Sequence, residues 1–457
     1  MKFAILNEVK IAITTLGCKI NQYDSAVIQN RLEESHSFVS FEEPADCYII
    51  NTCTVTDRAD WEARQLVRRA KRLSPSAKVL VTGCYAQVNP RELARVPGVD
   101  YVVGLNRLDD LLRFVTLPND SDVRIAVSDV KRERGVPVLG TRALPGHTRA
   151  FLKIQEGCNY SCTYCIIPTA RGLSRSVTPR EVLEQVRMLA DAGYREIVLT
   201  GIHLGSYGQD LTPKIDLTAL LETIARSRLI PRVRLSSLDP REVPDRLVDL
   251  IANSDVICPH LHVCAQAGDD EILKSMRRNY DGAYYRELLI KIRERLPDAA
   301  LGSDIIVGFP GETDETFHRS LEFFADLPLT YFHVFPYSSR RGTIAASLPD
   351  HVGTEIKKTR ASRMRELGAM KKRDFCLRFR GRKLSVLIEE KIDRATGLRR
   401  GFSRNYLPVL VFVRGTLVNH EIEVEIEGFE EGWLRGTPRE TAPVGVQHHD
   451  AFASDAG

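Results

Sequence analysis

Three cysteines stand close together in the stretch CNYSCTYC, at Cys158, Cys162 and Cys165. The stretch follows a predicted strand, Phe151–Ile154, so one loop brings three thiols to the end of that strand. Zinc usually takes four protein ligands, and no fourth Cys or His lies nearby in the sequence. Three thiolates instead suit a [4Fe–4S] cluster, because they hold three irons and leave the fourth iron open. The spacing therefore predicts an iron–sulfur site with a free coordination position.

Three further cysteines are far apart in the sequence but share a position relative to predicted strands. Each follows the end of one strand: Cys18 after Ile11–Leu16, Cys53 after Cys47–Asn51, and Cys84 after Val79–Thr82. Parallel strands end at one edge of their sheet, where α/β proteins bind ligands, so the three thiols are expected to meet there. On the residues alone two interpretations stay open, a second metal site or unrelated buried cysteines.

The elements that carry these cysteines predict an α/β protein. The first part of the chain alternates short apolar runs with helical patterns, which is typical of a parallel sheet. A fourth strand is predicted at Tyr101–Val103, and helices are predicted at Asp24–Glu33 and Trp61–Leu73. A less regular segment, 118–145, then predicts a linker.

A second series of strand–helix units follows the linker. The predicted strands are Phe151–Ile154, Glu196–Thr200, Val233–Ser236, His260–Val263, Leu301–Val307 and Tyr331–Phe335. The helical patterns between them include Arg180–Ala192, Leu217–Arg226, Tyr284–Arg295 and Glu315–Ala325. Six such units predict a closed or partly closed barrel whose active site lies at the carboxyl ends of the strands.

The pattern changes after the barrel. Thr354–Asp374 predicts a long basic helix, and after Arg380 short alternating runs separated by TGLRRG and VRG predict a small β-barrel. The tail, 441–457, is small and polar and is expected to be disordered.

Composition and charge narrow the class of protein. The chain has a net charge of +4 and ten cysteines, and we find neither a run long enough to span a membrane nor a secretory signal. We therefore expect a cytoplasmic protein whose cysteines are thiols, metal ligands or catalytic groups. The segment 357–383 holds twelve Lys or Arg and two acidic residues, which suits either a polyanion or a solvated helix face.

The cysteine loop and the barrel together resemble the radical S-adenosylmethionine superfamily. The resemblance implies that the open iron binds S-adenosylmethionine, whose cleavage gives a 5′-deoxyadenosyl radical, and that Tyr164 packs near the adenine. It also implies cofactor contacts from residues at the strand ends. These are Thr200, Gly201, Ser236, Ser237, Gln266, Ile306 and Gly308.

The motifs LGCKINQYDS, NTCTVT and TGCYAQ, followed by the cysteine loop, resemble the methylthiotransferases of that superfamily. The resemblance covers almost the whole chain and implies that Cys18, Cys53 and Cys84 hold an auxiliary [4Fe–4S] cluster. It implies four segments: an N-terminal methylthiotransferase domain at 1–142, a radical barrel at 144–376, a TRAM module at 378–440 and the tail at 441–457. One departure is HLHVCAQAGDD, with Cys264, where the family reads closer to HLHIPLQSGSD.

The implied reaction is methylthiolation of tRNA at position 37, beside the anticodon. Lys19 directly after Cys18 resembles the branch that acts on N6-threonylcarbamoyladenosine. The alternatives are isopentenyladenosine in tRNA, a ribosomal-protein aspartate, or a non-enzymatic RNA-binding protein with structural zinc. The expected partners are a tRNA anticodon stem-loop and a low-potential electron donor of the flavodoxin or ferredoxin type, with no membrane, and the protein is expected to be a monomer.

The TRAM-like segment predicts an RNA surface. Cations that hold phosphates alternate there with aromatic side chains that stack on unpaired bases. The cations are Arg399, Arg400, Arg404 and Arg414, and the aromatic residues are Phe402, Tyr406 and Phe412. The competing interpretation is that the aromatic side chains fill the barrel core, which we expect for Phe412 on its apolar strand.

Overall fold

The computed structural model describes residues 8–117, 122–136, 147–413 and 417–439. Its first unit is a six-stranded parallel sheet with strand order β2-β1-β3-β4-β5-β6. The strands are β1 (Lys10–Thr15), β2 (Ser37–Val39), β3 (Cys47–Thr52), β4 (Lys78–Gly83), β5 (Tyr101–Val103) and β6 (Arg124–Ala126). The helices are α1 (Lys19–Leu32), α2 (Asp57–Leu73), α3 (Cys84–Val88), α4 (Pro90–Ala94) and α5 (Leu108–Thr116).

Helices cover both faces of this sheet. Every residue of the central strands β3 and β4 is buried, as parallel strands between two helical layers require. Adjacent residues point to opposite faces, so Ile49 joins one apolar cluster and Ile50 joins the other. The sequence missed β2 and β6, because these strands have three residues and neither is fully buried, whereas the equally short β5 is an apolar run.

The second unit contains the predicted barrel, and all six predicted strands are present. They are β7 (Arg149–Lys153), β10 (Glu196–Thr200), β11 (Arg232–Leu235) with its continuation β12 (Ser237–Leu238), β13 (His260–Val263), β14 (Ala300–Val307) and β15 (Tyr331–Pro336). Two-residue strands β8 (Gln155–Glu156) and β9 (Arg175–Ser176) pair beside the cysteine loop. The barrel strands form two parallel sheets, β11-β10-β7 and β12-β13-β14-β15, which join where β11 continues into β12. Strands β7 and β15 stand at the two ends, so the barrel is open.

Helices surround the barrel sheet. They are α6 (Ile167–Arg171), α7 (Pro179–Asp191), α8 (Leu217–Ser227), α9 (Asp245–Asn253), α10 (Asp270–Ser275), α11 (Gly282–Arg295), α12 (Asp314–Asp326) and α13 (Thr354–Leu377). Two of them begin at capping boxes, with Thr178 before α7 and Thr313 before α12. Within the described ranges, no helix has the length and apolar character needed to cross a membrane.

The basic helix α13 uses several of its cations inside the molecule. Arg360 is buried and pairs with Glu312, while Lys357, Arg365 and Lys371 donate to backbone carbonyl groups of the barrel unit. These contacts leave fewer free cations than the sequence indicates, so neither of the two interpretations of this stretch describes the whole helix.

The third unit is a closed barrel of five strands in the order β16-β17-β18-β20-β19, which confirms the predicted small β-barrel. The strands are β16 (Lys383–Ile392), β17 (Arg399–Ser403), β18 (Pro408–Val411), β19 (Glu421–Glu430) and β20 (Trp433–Pro438). Its core extends into the end of α13 through Phe375 and Phe379. Arg414 and the tail 441–457 lie outside the described residues.

The expected arrangement of aromatic residues on this barrel is wrong. Phe412 is 74% exposed, because it follows the last residue of β18 and no longer faces the core. Phe402 and Tyr406 instead pack against Arg149 of the central barrel, and Arg404 binds the Pro231 carbonyl and Glu421. The side of the module predicted to bind RNA is therefore partly an interface between units.

Candidate cluster and substrate sites

The first three strand-end cysteines meet at one edge of the N-terminal sheet. Cys18 precedes α1, Cys53 follows β3, and Cys84 begins α3 directly after β4. The sulfur atoms of Cys18 and Cys84 each lie 3.9 Å from the same atom, Asn21 Oδ1, so at most two such distances separate them. A Cβ atom on Gly17 would lie 3.1 Å from the Cys53 sulfur, so only glycine leaves room beside it. The shared edge places the three thiols in one site.

A buried arginine from the central unit closes this site. Arg171 lies at the end of α6 and is 1% exposed, and its Nε donates to the Cys84 sulfur at 3.3 Å. The same guanidinium donates to Asn21 Oδ1 at 2.6 Å, Asp24 Oδ2 at 3.0 Å and both oxygens of Glu156. Burial raises the pKa of the Cys84 thiol to about 12, and the charge of Arg171 opposes that rise. The cation thus favours a thiolate at Cys84.

The second cysteine set lies in the loop after β8. The Cys162 sulfur accepts a hydrogen bond from Arg278 at 3.1 Å, and Arg278 also pairs with Asp239. His203 contacts Glu242 at 2.6 Å. Burial opposes protonation of His203, but Cys158 and Glu242 beside it raise its pKa to about 10. Arg278 therefore gives the Cys162 sulfur a cationic partner, and Cys158 and Glu242 favour the cationic form of His203.

Neither cysteine set is spaced as tightly as the ligands of a single metal ion. Within the part of the chain that the structure describes, the three side chains His262, Asp304 and His333 have ligand atoms all within 4.8 Å of one another, and neither cysteine set meets that criterion. Zinc with thiolates at about 2.3 Å in a tetrahedron needs sulfurs only about 3.8 Å apart. A [4Fe–4S] cluster is larger and its thiolate ligands stand farther apart. Each site offers three free thiols, and these are the donors that such a cluster takes.

A cavity of about 210 Å³ adjoins the cysteine loop, and we name it the loop cavity. Of the residues predicted to contact S-adenosylmethionine, Tyr164, Gln266 and Ile306 line it together with Cys165. The N-terminal unit contributes to its wall with Val55 and Thr56. The cavity therefore lies beside the cysteine loop and is closed by a second unit.

A second cavity, of about 300 Å³, lies inside the open barrel, and we name it the barrel cavity. Two other predicted cofactor contacts, Ser236 and Ser237, line it. All three units contribute, since Lys19 comes from the N-terminal unit and Tyr406 from the small barrel. Asp304 lines both cavities, which places them next to each other.

The remaining predicted contacts line neither cavity. Thr200 is buried at the end of β10, where its carbonyl accepts the Ile154 N–H at 3.0 Å. Gly201 lies against Gln155. The Gly308 N–H donates to Glu312 Oε2 at 2.5 Å, and its φ of +71° is one that side chains rarely adopt. These three residues shape the backbone next to the cavities.

A chain of hydrogen bonds inside the barrel was missed at the sequence level. Tyr331 Oη lies 2.8 Å from His260 Nε2 and 3.1 Å from His262 Nδ1. Asp304 Oδ1 then accepts from His262 Nε2 at 2.9 Å and from His333 Nδ1 at 3.1 Å. Burial opposes ionisation, but the two histidines hold the pKa of Asp304 below its ordinary value. The motif HLHVCAQAGDD could have indicated this chain of hydrogen bonds. Its two histidines are two residues apart on β13, so they lie on the same face of the strand.

Comparisons with known proteins agree with this geometry. The family model described as radical SAM superfamily matches residues 152–324, and the uncharacterized protein family UPF0004 matches residues 10–104. The threonylcarbamoyladenosine tRNA methylthiotransferase MtaB of Bacillus subtilis is 39% identical over 420 residues, which cover 91% of this chain and 93% of that protein. The MtaB of Aquifex aeolicus is 39% identical over 402 residues, covering 88% and 96%.

A relative whose name gives another substrate and one solved structure complete the comparison. The tRNA-2-methylthio-N(6)-dimethylallyladenosine synthase of Carboxydothermus hydrogenoformans is 37% identical over 365 residues, covering 78% of this chain and 82% of its own. The radical S-adenosylmethionine methyltransferase TsrM of Kitasatospora setae shares the fold, with a TM-score of 0.53, 17% identity and coverage of 74% and 77%. The cysteine sites, the fold and relatives that match most of both chains lead to one conclusion: the chain belongs to the radical S-adenosylmethionine methylthiotransferase family, in the branch of the MtaB proteins.

Proposed function

We propose that this protein methylthiolates C2 of N6-threonylcarbamoyladenosine at position 37 of tRNA. The observation that carries the proposal is the pair of separate cysteine sites, each with a cation against a sulfur atom, in a chain 39% identical to a named threonylcarbamoyladenosine methylthiotransferase. Two thiolate-held clusters are what a reaction with separate radical and sulfur-transfer steps needs.

In this proposal the two cysteine sets hold different cofactors. Cys158, Cys162 and Cys165 hold the [4Fe–4S] cluster that binds S-adenosylmethionine, and Tyr164, Gln266 and Ile306 surround that cofactor in the loop cavity. Cys18, Cys53 and Cys84 hold the auxiliary [4Fe–4S] cluster. When bound, these groups supply the 5′-deoxyadenosyl radical and the methylthio group.

The chain itself supplies charge, shape and exclusion of water. Arg171 and Arg278 place positive charge against the cysteine sulfurs and so stabilise the thiolate form. The walls from neighbouring units narrow the access to the two cavities, which limits the water that can reach a reactive radical. Asp304 lies where the two cavities adjoin and holds His262 and His333 in place by hydrogen bonds.

The proposal also covers the partners of the protein and the residue bounds of its domains. The substrate is the anticodon stem-loop of a tRNA, the electron donor is a flavodoxin or ferredoxin, and the protein acts as a cytoplasmic monomer. We place the three domains at 1–142, 144–376 and 378–440.

The test uses full-length protein reconstituted with iron and sulfide without oxygen. Iron content, release of 5′-deoxyadenosine and the tRNA nucleosides are measured for the wild type and three variants. A triple Cys158, Cys162 and Cys165 to Ala variant should keep about half of the iron and lose cleavage. Cys84→Ala should keep cleavage and lose the methylthio product. Cys376→Ala, a buried thiol outside both sites, is the control and should keep both activities.

Two outcomes would contradict the proposal. Cleavage that persists in the triple variant would remove the radical site from the cysteine loop. A 2-methylthio product found on isopentenyladenosine, with threonylcarbamoyladenosine left unchanged, would assign the protein to the other substrate.

A further inference from the structure

Three cationic side chains and one tyrosine share the wall of the barrel cavity. Lys19, Arg149 and Arg234 line this cavity together with Tyr406. The guanidinium carbon of Arg234 lies 4.8 Å from the centre of the Tyr406 ring, and that of Arg149 lies 5.7 Å from it. Burial opposes ionisation of Tyr406, but the charges of Arg149, Lys19 and Arg234 lower its pKa. Positive charge is therefore concentrated at this wall.

Lys19 differs from the two arginines in that the described part of the chain gives it no anionic partner. Arg149 lies 3.2 Å from Glu389, and Arg234 lies 2.8 Å from Glu196. Among the described residues, no carboxylate lies within 4.0 Å of the Lys19 ammonium group. The positive charge of Lys19 contributes to lowering the pKa of both Tyr406 and His260. An unpaired cation facing a cavity shared by three units is a binding group for an anion.

The position of Lys19 in its helix supports a functional role. It is the first residue of α1, whose first turn contains no acidic residue. The helix dipole places positive potential at that end, so a cation there is disfavoured by about 0.3–1 kcal/mol. A residue that violates the local rule without a structural partner is expected at a functional site.

We propose that Lys19, with Arg149 and the Tyr406 hydroxyl, forms a subsite for the free carboxylate of the threonylcarbamoyl group. This inference rests on the proposed function and names the group that the site recognises. Threonine joined through its nitrogen keeps its carboxylate, whereas an isopentenyl group carries no charge. A carboxylate bound to an ammonium and a guanidinium group makes charge-assisted hydrogen bonds that a neutral substituent cannot replace.

The positions of the two cavities indicate how a nucleoside would be oriented when its carboxylate binds this subsite. Asp304 and Phe335 line both, whereas Lys19, Arg149 and Tyr406 line the barrel cavity alone. A nucleoside whose base lies toward the loop cavity can therefore extend its N6 substituent toward Lys19.

The test compares two anticodon stem-loops with the reconstituted holoenzyme. One carries threonylcarbamoyladenosine, and the other carries the same nucleoside with its carboxylate converted to a carboxamide. Wild type should prefer the acid in kcat/KM by about 10- to 100-fold, the range set by one hydrogen bond to a charged group. Lys19→Met should lose this preference, and Lys19→Arg should keep most of it. Lys214→Met, an exposed lysine outside the cavity, should leave the ratio unchanged.

The ratio of the two substrates separates this inference from the proposed function. Wild type without product on either stem-loop would contradict the function itself. An active enzyme whose acid preference survives Lys19→Met would overturn the carboxylate subsite. If Lys19→Met loads no iron, because it adjoins Cys18, Tyr406→Phe decides instead. That variant lies in another unit and should reduce the preference about 3- to 10-fold, and an unchanged ratio would overturn the subsite.

Discussion

Replacing Arg171 with methionine tests whether the buried charges between the first two units hold them together. Arg171 is 1% exposed and donates to Glu156, Asp24 and Asn21 at 2.6 to 3.1 Å. Methionine keeps most of the side-chain length and removes the charge. Lys153 remains beside the two carboxylates, at 2.7 Å from Asp24 and 2.9 Å from Glu156.

The expected loss follows from the number of groups left without a partner. Breaking a buried ion pair from one side costs about 3–5 kcal/mol, because a charge stays buried without compensation. Since Lys153 still compensates part of the negative charge, we expect the lower end, about 3 kcal/mol. For a unit of 150–250 residues this corresponds to a fall in Tm of roughly 6–12 °C.

Thermal unfolding followed by circular dichroism measures the difference, with Arg58→Met as the control. Arg58 forms an exposed pair with Glu62, and its loss should cost less than about 0.5 kcal/mol. Burial alone would raise the pKa of Glu156, but Arg171 and Lys153 lower it below its ordinary value of 4.5. The stabilisation is therefore complete above pH 4.5 and is lost as the pH falls toward the lowered pKa.

The gap between wild type and Arg171→Met should accordingly narrow below pH 4.5. A variant as stable as Arg58→Met at pH 7 would refute the reasoning, since it would mean that the network contributes no net stability. A gap that widens on acidification would show that the sign of the linkage is wrong.

Two further predictions concern other units. Phe412→Ala should raise the Kd for tRNA about 5- to 100-fold in a fluorescence anisotropy titration, because an exposed aromatic ring can stack on a base. The Tm of this variant should not change. An unchanged Kd would exclude this ring from the RNA surface. Arg360→Met should lower the free energy of unfolding in urea by about 3–5 kcal/mol, since it breaks the buried ion pair with Glu312. Glu312 also accepts a hydrogen bond from the Gly308 N–H. Lys358→Met, at an exposed ion pair, is the control. An equal loss of unfolding free energy in both variants would contradict the stabilising role of the buried Arg360–Glu312 pair.

The cysteine sites could be predicted because they depend on topology and local spacing. Cys18, Cys53 and Cys84 each follow a strand, and parallel strands necessarily end at one edge. Cys158 and its neighbours lie within one loop. The strands that the sequence predicted agree with the observed bounds within about two residues, since most of them are largely buried runs, whereas β2 and β6 were missed.

Contacts between units could not be predicted in the same way. Arg171 and Asn21 are 150 residues apart, and nothing in either local pattern indicates that they meet. Arg404 was expected to bind phosphate, yet its guanidinium group donates a hydrogen bond to the Pro231 carbonyl. Phe412 was expected in the core because it follows an apolar run, but the strand ends one residue before it. Each error arose because a partner distant in sequence, or the end of a strand, decided the burial.

The barrel cavity has walls from all three units, and this has a consequence for the order of synthesis. The ribosome completes Lys19 and the central barrel before it makes Tyr406, and the remaining residues up to 439 follow within seconds. Until the small barrel docks, the cations of Arg232 and Arg234 lack the carbonyl groups of Phe402 and Ser403 that bind them in the finished protein. A nascent or truncated chain that lacks the small barrel is thus missing one wall of the barrel cavity, and that wall is added only when the small barrel docks.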